Sequence, residues 1–168
     1  MTDWKEFDFH KASMEITLSH LQNAINEISE LEKKLDWFDG LTLLEQIEPV
    51  YGTSFIVLQN YINTSIYEHS RSLKKKIDYY QYGEKVQDSN LYKIELIIAI
   101  ANYFKHRDDD QPLHAGTLHV FKMSRLKVGD DITESPILQA LEGLAEDRQL
   151  NTLKSIVIGW RDKIWKEK

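Results

Sequence analysis

The chain has 168 residues and no cysteine, with 42% hydrophobic and 29% charged side chains and a formal net charge of -6. That length suits one domain, residues 1–168, with enough chain to bury a core. The composition is that of an ordinary globular protein, and the lack of cysteine excludes disulfides and thiolate metal sites.

Taken in chain order, residues 8–36 read as a long amphipathic helix, with Met14, Leu18, Leu21, Ile25, Ile28, Leu31 and Leu35 repeating at three and four. Asp39-Gly40 breaks it, and Leu41 to Glu48 forms a short helix stopped by Pro49. Gly52-Thr53-Ser54 reads as a break with a helix cap. Phe55, Leu58, Ile62, Ile66, His69, Leu73 and Ile77 form a second stripe, ended by Tyr82-Gly83. Asp88-Ser89-Asn90 caps the next helix, residues 90–107, whose run Leu96-Ile97-Ile98-Ala99-Ile100-Ala101 is apolar on all sides. Such a helix belongs in the middle of a bundle.

Asp108-Asp109-Asp110-Gln111-Pro112 stops that helix. Residues 108–133 then read as an irregular excursion, in which Thr117 to Met123 is a short strand or one helical turn. Ser135-Pro136 starts a helix that runs to about Asp147, and Leu150, Leu153, Val157, Trp160 and Ile164 mark a final one. The expected fold is all-α: a single bundle of about five to six helices around a central apolar helix at 90–107. The polar, acidic start Met1-Thr2-Asp3-Trp4-Lys5-Glu6 does not read as a secretory signal, and no apolar run is long enough to span a membrane. A cytoplasmic place is expected, most simply a bacterial one.

The charge is uneven. Residues 1–50 carry a balance of -7, residues 51–106 one of +2, and residues 107–168 one of -1. An acidic first third disfavours nucleic-acid binding through that face and suits a basic partner. Glu27, Glu30, Asp36, Asp39, Glu45 and Glu48 are the candidate partner-binding residues.

Glu95, Ala99, Asn102 and His106 follow one another at steps of four, three and four along the central helix. An acid, an amide and an imidazole thus share one line of an otherwise apolar helix, where polar groups need partners or a purpose. Imidazole changes charge near neutral pH, so His106 suits general acid or base work, with Asn102 one turn earlier as a hydrogen-bond donor. Lys105, Arg107, Glu95 and His69 are candidate helpers. Alternatively, His106 caps the last turn and Asn102 bonds a neighbouring helix. Arg71, Lys74, Lys75 and Lys76 precede Tyr79, Tyr80 and Tyr82, a combination that either holds single strands by charge and stacking or forms a solvated face. The pairs Trp37-Phe38 and Trp160/Trp165 are either exposed anchors or core closures. No metal or cofactor is expected, and His106, Asp108, Asp109, Asp110 and His114 match no known ligand spacing.

The Asn102–His106 pattern resembles that of the HEPN superfamily, helical bundles marked by an Arg, a following polar residue and a His four to six positions after the Arg. Asn102 matches the polar position and His106 the His, while Ala101 occupies the Arg position. The resemblance implies a metal-independent ribonuclease of toxin–antitoxin or phage-defence systems, working as a dimer with RNA as substrate. The missing Arg removes the phosphate-holding fork. In general character, a small acidic all-helical chain also resembles bacterial immunity proteins and antitoxins. That likeness implies a non-catalytic protein that neutralises a basic nuclease toxin by covering its active site. The acidic first third favours this binding reading, with the ribonuclease as the alternative. The sequence leaves room for a homodimer.

Overall fold

The structure, a computed structural model, describes residues 7–129 and 131–166. The opening segment Met1–Glu6, read above for a targeting signal, lies outside the described residues. Seven α-helices follow in order among the described residues: α1 (Lys11–Glu32), α2 (Gly40–Ser70), α3 (Lys76–Tyr80), α4 (Lys93–His106), α5 (Ala115–Ser124), α6 (Pro136–Leu144) and α7 (Leu150–Lys166). A single 3-10 turn, Ile132–Glu134, precedes α6, and there is no strand among these residues. None of these helices is long and apolar enough to cross a membrane. The all-α expectation holds.

Helix α4 is the axis. Ile94 and every residue from Leu96 to Ala101 are buried, and the helix packs against α2, α5, α6 and α7. The polar line is confined to Glu95 at its start and the turn from Asn102 onward. Glu95 accepts from the Tyr92 backbone N–H at 2.9 Å, satisfying one of the orphan donors of the first turn. The start thus lies at Tyr92-Lys93 rather than at the Asp88-Ser89-Asn90 turn, where the Ser89 hydroxyl accepts from the Leu91 N–H.

Helix α2 overturns the expected break. Pro49 and Gly52 lie inside one continuous helix of 31 residues. Proline in a helix interior costs about 3 kcal/mol. Against this, Ile47, Tyr51, Phe55, Leu58, Ile62 and Ile66 are buried on one face that continues through the proline. Each such side chain contributes about 1.5–3 kcal/mol on burial, so the face outweighs the proline. Gly52 is not a breaker either. It lies under Phe104, whose ring atoms would stand 2.4 to 2.7 Å from an added Cβ. Glycine here lets α2 and α4 approach. Asp39 caps the helix, accepting from the Thr42 N–H at 2.8 Å.

The same helix ends earlier than the apolar pattern suggests. Arg71 adopts a left-handed conformation (φ 57°), so Leu73 and Ile77 are not part of the α2 face and are 40% and 63% exposed. The expected irregular excursion is also corrected. Ala115–Ser124 is a helix, started by His114 Nδ1 accepting from the Gly116 N–H, with Thr117 and Phe121 buried against the bundle. Phe121 meets the Tyr103 ring with centroids 5.5 Å apart. At α6, Pro136 takes the first turn as expected, but the Ser135 hydroxyl does not cap and the helix stops at Leu144.

Candidate functional site

The Asn102–His106 line divides. Asn102 is half-buried and its Oδ1 accepts from Gln59 Nε2 of α2 at 2.8 Å. It lines a cleft of about 330 Å³ between α3, α4 and α5, together with Glu95, Lys76, His114 and His119. His106 is not among the residues lining that cleft. Its side chain is 57% exposed and its Nδ1 lies 2.8 Å from Asp109 Oδ2. Lys105 approaches Lys76, and burial first, then that like charge, holds its amine below the usual lysine range.

Arg107 lines a different cleft from Asn102. Its guanidinium lies 2.5 Å from Glu48 Oε1 and 4.8 Å over the Phe104 ring. Glu48 is only 4% exposed and also accepts from the Ser135 hydroxyl at 2.9 Å. This carboxylate therefore joins α2, the end of α4 and the start of α6, and is not part of an exposed acidic face. Sequence spacing carries no signal for it, because Glu48 and Arg107 are distant in the chain.

The other acidic candidates share one end of the molecule. Glu27 and Glu30 lie late in α1, Asp36 and Asp39 in the bend, and Glu45 early in α2, and all five are exposed. Glu32 joins them, its carboxylate 3.7 Å from where a Cβ on Gly40 would sit. Lys33 pairs with Glu30 at 2.7 Å, which holds the Glu30 carboxyl below its ordinary range. The Thr42 N–H does the same for Asp39. Within this rim stand three exposed apolar side chains: Trp37 at 71%, Leu41 at 53% and Leu31 at 40%. Phe38 turns inward and is buried, so the Trp37-Phe38 pair splits into an anchor outside and a closure inside. The acidic pattern alone did not single out Leu31 or Leu41.

His69 lies at the far end of α2, edge-on to Tyr79 and Trp165 at 5.5 and 5.4 Å between ring centroids. It backs a cleft of about 580 Å³ that also holds Lys74, Lys75, Asp78, Tyr79 and Tyr82. Helix α3 is the wall between this cleft and the Asn102 cleft: Lys76, Ile77 and Tyr80 line one, Asp78 and Tyr79 the other. His69 and Asn102 therefore do not share a cavity. Among the described residues no three His, Asp or Glu side chains gather to hold a metal ion. Comparisons of the chain with known protein families, curated proteins and solved structures find no match.

Proposed function

We propose that this chain is a non-catalytic binding protein that docks a basic protein, of the kind a nuclease toxin presents at its phosphate-binding cleft, on the acidic bend between α1 and α2. The observation that carries the reading is Trp37, 71% exposed among the exposed carboxylates of Glu30, Glu32, Asp36 and Asp39. An aromatic anchor surrounded by charge is the anatomy of a binding hot spot, and the carboxylates speed and orient encounter with a basic surface. A large side chain left mostly in water contributes little to folding. Its place in the bend is better accounted for by a partner's pocket.

The ribonuclease alternative, as the motif gives it, needs the His106 imidazole in one cavity with Asn102, and His106 does not line the Asn102 cleft. Here Asn102 is engaged by Gln59, His106 by Asp109 and Arg107 by Glu48. The binding reading therefore stands ahead.

The test is capture from the source cell with the full chain, beside Trp37→Ala and Glu30→Lys/Glu45→Lys. The expected result is a basic protein held by the wild type, released by added salt, and inhibited as a nuclease when the chain is present. Trp37→Ala should weaken that complex by about 2 kcal/mol, roughly 30-fold in Kd. Identical capture by all three chains, or no nuclease inhibited by the wild type, would reject the reading.

A further inference from the structure

We propose that the basic–aromatic cleft at the far end of α2 binds single-stranded nucleic acid, with phosphates on Lys74 and Lys75 and a base against Tyr82. The cleft, at about 580 Å³, falls in the range of sites that enclose a ligand. Its rim is built by a fixed turn. The Ser70 hydroxyl donates to the Ile66 carbonyl at 2.9 Å and accepts from the Ser72 N–H at 3.3 Å. The Ser72 hydroxyl in turn accepts from the Lys74 N–H at 3.2 Å. Lys74 and Lys75 are thereby held side by side at the mouth. Neither pairs with a carboxylate within 4.0 Å among the described residues.

The aromatic wall is equally fixed. Buried Trp160 donates from Nε1 to the Tyr79 carbonyl at 2.8 Å, tying α3 to α7. The Tyr79 and Tyr82 rings lie 28° from parallel with centroids 6.5 Å apart, and Tyr82 is 36% exposed. A base can stack on that outer ring, and stacking of this kind tolerates any base. Asp78 lines the same cleft and repels phosphate, which places the backbone on the Lys74–Lys75 side. Lys74 and Lys75 are both exposed at the mouth, so the cleft offers a cation to each of two successive phosphates. That favours a strand over a lone nucleotide, and the tyrosines favour it over an acidic peptide. The acidic bend does not oppose this. It lies at the other end of a 31-residue helix, roughly 45 Å away at about 1.5 Å per residue. Charges exposed to solvent are screened beyond about 8 Å at physiological salt.

The test is fluorescence anisotropy of end-labelled octauridylate and octadeoxythymidylate with the full chain, at about 50 mM and about 200 mM salt. The expected result is binding at low salt that weakens as salt rises. Lys74→Glu/Lys75→Glu and Tyr82→Ala should each lose about tenfold or more in affinity. All three positions are exposed, and circular dichroism checks that the variants fold. Trp37→Ala should bind the strand as the wild type does, so failure here and failure of the acidic-bend reading are separate results. Three outcomes would overturn the proposal: no anisotropy change at low salt, unchanged affinity in Tyr82→Ala, or displacement by hexaglutamate as effective as by unlabelled strand.

Discussion

Gly52 shows how one residue can carry a helix crossing. Alanine is the better helix former by about 1 kcal/mol, and a solvent-facing glycine at this point would gain from the exchange. Here the new methyl would sit 2.4 Å from Phe104 Cδ2, well inside contact distance. Gly52→Ala should therefore destabilise the fold, by about 1–3 kcal/mol as overpacking does, measured as a lower urea midpoint. In a Phe104→Ala background the same substitution should be neutral or stabilising, because the ring that it strikes is gone. Equal effects in both backgrounds would show that the crossing does not depend on this contact. Nothing at the sequence level distinguishes this glycine from a helix stop. Its role is set by a ring on another helix.

At the scale of elements, the joint made by Glu48, Arg107 and Ser135 holds α2, α4 and α6 together. The Glu48 side chain is 6% exposed and that of Arg107 26%, so the pair is largely withdrawn from water. Removing one partner leaves a buried charge without compensation, whereas replacing both with apolar side chains can be nearly neutral. Arg107→Met should cost about 3 kcal/mol in urea unfolding, and Glu48→Met/Arg107→Met distinctly less. A double variant worse than the single one would mean that the pair contributes net stability. The element also shows where pattern reading fails. Glu48 fits the run of acids on the first third, and only its burial against a distant arginine separates it from its exposed neighbours. In contrast, the apolar character of α4 and the spacing along α1 and α7 come straight from their own residues. Those helices lie near where periodicity places them.

At the scale of the whole molecule, two features stand out. The charge is polarised, with the acidic bend at one end of α2 and the lysines of the basic cleft at the other. The core also keeps several phenols neutral. Burial pushes the Tyr80 hydroxyl up to about 12, and raises those of Tyr51, Tyr61 and Tyr103 as well. For Tyr61 the hydrogen bond to Asp8 adds to burial. A free phenol titrates near 10, so the folded state favours the protonated form more than the unfolded state does. The stability this brings is complete below about pH 10 and is lost as pH rises toward and through about 12. Urea midpoints should therefore fall between pH 10 and pH 12, and absorbance at long ultraviolet wavelengths should show the buried tyrosines ionising as the chain unfolds. A midpoint constant to pH 12 would mean that these hydroxyls are open to solvent.

The all-α class, the central apolar helix, the final helix and the uneven charge are legible in the residues alone. Each rests on composition or on a period of three to four residues, which is local information. The tertiary structure decided that Pro49 and Gly52 lie within one helix, because a buried face running past them outweighs a missing hydrogen bond. It also decided that α5 forms, that Asn102 and His106 part company, and that Trp37 faces solvent while Phe38 does not. These depend on which distant side chains arrive opposite, and no spacing within a single segment encodes that.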